Sequence, residues 1–216
     1  MDRVDEHEHG LALRNLAKVM SWAGKTEDAA RLAAMALDAL GDDAECHFIL
    51  GAAAAEAGRS NEAIEHYTAA IELAPDYIKA RNNLGTALAL AGREEEAIPH
   101  YEWVLETLPT HPNARFNLAN ALMRLGRLDA AIAHYREVLR EDPSDVDARY
   151  NLARGFRLRG DWRQAAKEYE QVLALAPDDS DARAELGEVR DLMASELGET
   201  REGPPDSGAA SPGASL

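Results

Sequence analysis

Residues 78–111, IKARNNLGTALALAGREEEAIPHYEWVLETLPTH, decide the fold of this 216-residue chain. The first half places apolar residues at i, i+4, i+7 and i+8, which are Ala80, Leu84, Ala87 and Leu88. The second half repeats this spacing, at Ala97, Ile98, Tyr101, Val104, Leu105 and Leu108. Such spacing predicts two helices, each with one buried face. Gly92 is expected to break the first helix, and Pro109 to end the second, because proline cannot continue one.

The same pattern recurs every 34 residues. Two series run through five copies: Gly24, Gly58, Gly92, Gly126 and Gly160, and Ala29, Ala63, Ala97, Ala131 and Ala165. A leucine followed by glycine or alanine recurs at Leu16, Leu50, Leu84, Leu118, Leu152 and Leu186. Tyrosine and proline complete four copies, at Tyr67, Tyr101, Tyr135 and Tyr169 and at Pro75, Pro109, Pro143 and Pro177. One helical hairpin cannot bury its apolar face alone, so the hairpins are expected to stack.

This order of leucine with a small residue, then glycine, alanine, tyrosine and proline, resembles the tetratricopeptide repeat family. The matching units are 10–43, 44–77, 78–111, 112–145 and 146–179. The first unit has Ala33 and Gly41 at the tyrosine and proline positions, as expected of a terminal repeat. The resemblance implies an all-α, right-handed α-solenoid of five helix-turn-helix units.

The two ends of the chain differ from the repeats. Residues 1–9 are predicted to be a flexible, acidic start, so that the repeat domain spans 10–197. Residues 180–197 predict one closing helix that Gly198 ends, and 198–216 are expected to be disordered because they are rich in Gly, Pro and Ser. Helix-capping residues are expected just after each unit's turn, at Asp42, Asp76, Thr110, Ser144 and Asp178.

Charge and composition exclude several classes of protein. With 23 basic and 39 acidic side chains the net charge is −16, which disfavours nucleic-acid binding because phosphate neutralisation needs a basic surface. The chain has no apolar run long enough to span a bilayer and no signal peptide, so we expect a cytoplasmic protein without membrane insertion. Eleven basic residues lie between Arg115 and Lys167, the one block where an anionic partner could be attracted locally.

The sequence contains no recognisable catalytic or metal-binding motif. It has no nucleophile elbow, phosphate-binding glycine loop or His-Glu-x-x-His helix, and Cys46 occupies a position that is alanine in the other units. His66, His100 and His134 lie 34 residues apart. Helices of neighbouring units pack about 8–10 Å apart, whereas zinc holds each nitrogen at about 2 Å, so this series cannot share one ion. We predict a non-enzymatic protein with no cofactor and no metal site.

In the tetratricopeptide repeat family, the first-helix face opposite the apolar stripe lines a concave groove that binds peptides. The resemblance places these residues there: Asn83, Phe116, Asn117, Asn120, Arg124, Tyr150, Asn151, Arg154 and Arg157. Asn15, Asn83, Asn117 and Asn151 share one register, interrupted by Ile49, and resemble the asparagine ladder of the O-linked N-acetylglucosamine transferase superhelix. A carboxamide both donates and accepts, so it can pair with a peptide main chain. Alternatively, these amides bond between neighbouring helices.

A group of arginines predicts a second feature of this face. Arg124, Arg154 and Arg157 accompany Phe116 and Tyr150, and guanidinium groups suit carboxylates while an aromatic ring can anchor an apolar side chain. The alternative is a solvated face. We therefore predict a protein-protein interaction adaptor that binds an extended or acidic peptide segment in its groove. A self-assembling scaffold, joined through the solenoid ends or the groove, is the rival hypothesis.

Overall fold

The computed structural model describes residues 3–199, and all the regular structure in this range is helical. The helices are α1 Arg3–Trp22, α2 Thr26–Leu40, α3 Ala44–Glu56, α4 Ser60–Leu73, α5 Ile78–Leu90, α6 Glu94–Thr107, α7 Pro112–Arg124, α8 Leu128–Glu141, α9 Val146–Arg159, α10 Trp162–Leu175 and α11 Ser180–Glu199. They form five hairpins, α1–α2 to α9–α10, followed by α11. The predicted all-α class of repeated helical hairpins is confirmed.

The chain divides into two compact units, residues 1–143 and 144–216. Unit 1 contains the four hairpins α1 to α8, in which each helix packs on the next and the first helices α1, α3, α5 and α7 also pack on one another. Unit 2 contains the hairpin α9–α10 and α11, which packs on α10. A single repeat domain over 10–197 stays a prediction.

The repeated glycine turns each hairpin, as the sequence predicts. Gly24, Gly58, Gly92, Gly126 and Gly160 have φ between 71° and 84°, a left-handed conformation that side chains with a Cβ disfavour. After Gly92, the Arg93 amide donates to the Leu88 carbonyl at 2.9 Å, which satisfies one of the last carbonyls of α5. The 34-residue glycine series therefore marks the turns between the two helices of each hairpin.

Within the hairpins, a tyrosine of the second helix packs against the small residue of the first. A Cβ placed on Gly85 would lie 2.7 Å from the Tyr101 ring, and one on Gly51 would lie 2.8 Å from the Tyr67 ring. Both tyrosines are buried. The predicted apolar stripes form the core around these contacts, except that Leu108 follows the last turn of α6 and is 43% exposed.

Both ends of the helical region extend beyond the predicted bounds. The first helix begins at Arg3, so residues 3–9 are helical and α1 starts seven residues before the predicted start of the repeat domain at residue 10. Asp5 and Glu6 in the first turn favour this helix because its N-terminus carries partial positive charge. At the other end, Gly198 does not stop α11, which continues to Glu199. The rest of the predicted disordered tail, 200–216, lies outside the described residues.

The helix caps lie one residue later than predicted. Asp43, His111, Asp145 and Asp179 each accept a hydrogen bond from the backbone amide three residues on, and Tyr77 precedes α5 without a side-chain cap. The reason is that the turn after each second helix is one residue longer than the proline position suggested. Burial opposes ionisation of Asp43, but hydrogen bonds from the Cys46 amide and Arg14 outweigh it and lower the pKa of the carboxyl.

Candidate functional site

In unit 1, four polar side chains form what we call the amide row: Asn83 and Thr86 on α5 and Asn117 and Asn120 on α7. All four are half-buried. Core tyrosines bind three of them from behind: Asn83 Nδ2 donates to the Tyr67 hydroxyl at 3.4 Å, the Tyr101 hydroxyl donates to Thr86 Oγ1 at 3.3 Å, and the Tyr135 hydroxyl donates to Asn120 Oδ1 at 2.6 Å. The packing tyrosines therefore orient three side chains of the amide row.

One hydrogen bond joins the two helices of the amide row. Asn117 Nδ2 donates to Thr86 Oγ1 at 3.2 Å, so this asparagine bonds between neighbouring helices, as the alternative interpretation held. The row still has unused capacity. Within the described residues, Asn117 Oδ1 accepts no hydrogen bond and Asn120 Nδ2 donates none. An acceptor and a donor thus lie three residues apart on one face of α7.

A small cavity of about 200 Å³ lies beside the amide row, between α3, α4 and α5. Its lining residues are Ala55, Ser60, Tyr67, Asn83, Thr86, Ala87 and Leu90. Most of these side chains are small or apolar, and the polar groups come from the row itself.

The remaining predicted residues of unit 1 flank the amide row. Phe116 packs edge-on against the Tyr135 ring, with centroids 5.9 Å apart. Arg124 is 59% exposed, but its Nη1 lies 3.2 Å from Glu94 Oε1 and donates to the Ala89 carbonyl at 3.2 Å. This guanidinium therefore already has a carboxylate partner within the chain.

In unit 2, the predicted residues lie on α9. Tyr150 packs edge-on against the Tyr169 ring, at 5.6 Å between centroids. Arg157 Nε lies 2.6 Å from Glu185 Oε2 on α11, and the Tyr169 hydroxyl donates to the same oxygen at 3.3 Å. Burial and the nearby Glu185 carboxylate raise the pKa of Tyr169. The closing helix α11 thus neutralises Arg157.

Arg154 and Asn151 complete the predicted set in unit 2. Arg154 is exposed and Asn151 half-buried. Within the described part of the chain, neither side chain has a hydrogen bond or ion pair. Of the three arginines that the sequence grouped together, Arg154 is the one without a carboxylate partner among residues 144–199.

Sequence reasoning missed the partners of the amides and arginines. Glu94 and Glu185 come from other helices, 30 and 28 residues from the arginines that they bind. The tyrosine contacts had a detectable signal, because Thr86 and Asn120 each lie 15 residues before a tyrosine of the repeat series.

The first two positions of the asparagine register differ in burial from the later ones. Asn15 is exposed, and the intervening Ile49 is buried in the core.

The single cysteine is a core residue, and the three histidines of the 34-residue series are half-buried. Cys46 is fully buried, and burial, with the nearby Asp43, raises the pKa of its thiol to about 12, which agrees with its place in the alanine series. Burial lowers the pKa of His66, His100 and His134. No three metal-ligating side chains cluster within the described residues, and no helix there is both long and apolar enough to cross a membrane.

Family models for the tetratricopeptide repeat match residues 43–110, 82–146, 116–161 and 148–183. Among solved structures, YrrB, described as a tetratricopeptide repeat protein with an unusual peptide-binding site, aligns with a TM-score of 0.74 at 22% identity, over 80% of this chain and 89% of its own. MamA from Desulfovibrio magneticus RS-1 aligns with a TM-score of 0.73 at 21% identity, over 80% and 97%. MamA MSR-1 aligns with a TM-score of 0.72 at 26% identity, over 79% and 98%. A search of curated proteins finds no match.

Proposed function

The chain belongs to the tetratricopeptide repeat family, and on that premise we propose that it is a non-enzymatic adaptor that binds an extended peptide segment of a partner protein. The repeat fold supports a role in protein-protein interaction. We assign the binding surface in unit 1 to the amide row and its flanking Phe116. The net charge of −16 supports a protein partner over nucleic acid, and we place the protein in the cytoplasm.

The observation that carries this proposal is the unused hydrogen-bonding capacity of α7. Asn117 Oδ1 can accept from a peptide N–H, and Asn120 Nδ2 can donate to a peptide carbonyl. Both amides are held by bonds to Thr86 and Tyr135, so little side-chain entropy is lost when a ligand binds. Since every residue of a peptide offers the same main-chain groups, this surface would bind peptides of differing sequence.

We base the proposal on amides and not on arginines because of the intrachain ion pairs. Arg124 and Arg157 already contact Glu94 and Glu185, and an acidic ligand would have to displace these carboxylates. Arg154, beside Tyr150 and Asn151, is the better candidate for reading a carboxylate in unit 2. We therefore propose a main-chain contact as the primary interaction in unit 1, and an acidic preference as a separate property of unit 2.

The test uses peptides selected by the chain from a random displayed library. Asn120→Asp keeps the oxygen that accepts from Tyr135 but removes the free donor, so the selected peptides should bind about tenfold more weakly, or about 1.4 kcal/mol. The matched control is Asn61→Asp on the exposed start of α4, which introduces the same charge elsewhere. Equal affinities for Asn120→Asp and the parent would contradict the proposal.

Self-assembly is a second candidate function, favoured by an exposed apolar stripe on the first helix. Leu16, Val19 and Trp22 are 43%, 53% and 76% exposed and lie three residues apart on α1. Met35 of α2 is also 46% exposed. In the inner hairpins of unit 1, the corresponding side of a hairpin is covered by the preceding hairpin. A second copy of the chain would bury this stripe.

Analytical ultracentrifugation tests this alternative. If the stripe joins two copies, the parent should sediment as a concentration-dependent dimer, and Val19→Glu should convert it to a monomer of unchanged helicity. Ala12→Glu is the control, because it introduces the same charge on the same exposed side of α1, one helical turn before Leu16. A parent that stays monomeric at micromolar concentrations would leave peptide binding as the function.

A further inference from the structure

The two helices of each hairpin face each other at one recurring pair of positions, and the second hairpin fills this pair differently from the others. The facing pairs are His47 and His66, Arg81 and His100, Arg115 and His134, and Arg149 and Glu168. Arginine occupies the first-helix position in the last three pairs. The second hairpin alone among these four has an imidazole on both helices.

These two imidazoles form a hydrogen bond between their Nδ1 atoms, and an ion bound to both atoms would replace its proton. Nδ1 of His47 is 3.1 Å from Nδ1 of His66, and the ring centroids are 5.4 Å apart with planes inclined by 39°. Two nitrogens bound to one tetrahedral zinc ion at about 2.0–2.1 Å lie roughly 3.3 Å apart. The distance between the two nitrogens is therefore close to the one that a metal ion bound to both would require.

The surrounding fold fixes this distance. His47 lies one helical turn before Gly51, and His66 directly precedes Tyr67, whose ring packs on Gly51 so closely that a Cβ there would lie 2.8 Å away. The tyrosine contact therefore sets the spacing and register of α3 against α4 immediately beside the imidazoles. A ligand pair held in this way needs little rearrangement to bind an ion.

The local charge also favours a cation. Residues 44–77 contain six carboxylates and one arginine, a net charge of −5. Asp42 Oδ1 lies 3.6 Å from Nε2 of His47, where a carboxylate favours the tautomer that leaves Nδ1 free to bind a metal.

We propose that His47 and His66 form a binding site for a borderline divalent transition metal such as Zn²⁺ or Cu²⁺. The ion would bind both Nδ1 atoms and complete its coordination shell with water. Imidazole ligands select Cu²⁺ and Zn²⁺ over Mg²⁺ and Ca²⁺, and Cu²⁺ should bind more tightly than Zn²⁺. Bound metal would cross-link α3 and α4 and so stabilise the second hairpin.

The test is calorimetric titration of the full chain with ZnCl₂ at pH 7.5. His7→Gln with His9→Gln removes the other two closely spaced histidines and should leave one site per chain. In that background, His47→Arg introduces the residue found in the other hairpins and should weaken binding at least tenfold. The matched control His100→Gln, in the same register as His66, should bind as its parent does.

Two outcomes would overturn the site. The first is a parent that binds no Zn²⁺ up to 1 mM, and the second is a His47→Arg variant that binds with unchanged affinity.

A gain-of-function variant sharpens the test. Arg81→His, added to the His47→Arg variant, places two imidazoles on the third hairpin, where His100 already faces this position. Restored zinc binding would support the proposal that this facing pair suffices. If binding is not restored while the helical content is unchanged, facing imidazoles on this frame do not make a metal site, and the proposal fails.

Discussion

The second hairpin in unit 1 and the fifth hairpin in unit 2 fill the same facing position with different chemistry. His47 and His66 bring their Nδ1 atoms within 3.1 Å of each other, whereas Arg149 Nη1 and Glu168 Oε2 form an ion pair of 2.9 Å. The backbone frame is shared, since each hairpin packs its tyrosine beside this pair. The difference teaches that the repeat fixes where two side chains meet and leaves open what they do: the fifth hairpin joins two opposite charges, while the second joins two imidazoles by a hydrogen bond that a bound metal ion would replace.

The largest expected effect follows from breaking the ion pair of the fifth hairpin. Arg149 and Glu168 are each 14% exposed, so removal of one charge leaves the other largely buried. Glu168→Ala should lower the free energy of unfolding by about 3 kcal/mol, as buried pairs do when one partner is lost. Urea unfolding followed by far-UV circular dichroism measures the change.

His66→Ala is the matched variant in the second hairpin. It removes a neutral partner and should cost about 1 kcal/mol, near the value of one neutral hydrogen bond. A larger loss for His66→Ala than for Glu168→Ala would show that the two pairs do not differ in the way described.

A smaller effect separates the glycine of the third hairpin from that of the closing helix. Gly85→Ala places a Cβ 2.7 Å from the buried Tyr101 ring and should destabilise the chain by about 1–3 kcal/mol. Gly187 holds the same register in α11, where nothing lies within 4 Å of an added Cβ. Gly187→Ala should therefore stabilise the chain by about 0.5–1 kcal/mol through helix propensity. Thermal unfolding of both variants measures the two changes. A melting temperature that rises for Gly85→Ala or falls for Gly187→Ala would contradict the prediction.

Acid should weaken unit 1 and spare unit 2. The pKa values of His66, His100 and His134 are lowered in the folded chain, so the unfolded chain takes up protons more readily as the pH falls through about 6.5. The free energy of unfolding of unit 1 should therefore fall between pH 7.5 and 5.5. Residues 144–216 contain no histidine and should change little. Hydrogen exchange followed by mass spectrometry resolves the two units, and an equal loss of protection in both would contradict this.

Much of the fold could be predicted because the residues that pack recur at a fixed period. Gly92, Ala97 and Tyr101 recur in phase, and each has a local reason: a left-handed turn, a close helix approach and a ring that fills the space beside the small residue. The ends were less predictable because residues 3–9 fall outside the period. An acidic first turn, and not an apolar stripe, favours the helix there.

The site was harder to predict because its chemistry depends on partners far away in the sequence. The sequence alone predicts a positive surface at Arg124 and Arg157. In the structure, Glu94 and Glu185 from other helices form ion pairs with them. The 34-residue period relates His66 to His100 and His134, whereas the residue that His66 contacts is His47, 19 residues before it. A periodic pattern identifies equivalent positions in successive repeats but gives no direct measure of which side chains meet across a hairpin.

We propose above all that the repeat frame presents unused hydrogen-bonding groups, Asn117 Oδ1 and Asn120 Nδ2, to a peptide main chain. The most direct measurement follows the side-chain NH₂ resonances of both residues by ¹⁵N NMR while a library-selected peptide is added. Both resonances should shift when the peptide is added, and peptides of unrelated sequence should give similar dissociation constants. The resonance of Asn61, exposed on α4, should stay in place. Peptide binding that leaves the Asn117 and Asn120 resonances unmoved would contradict the account.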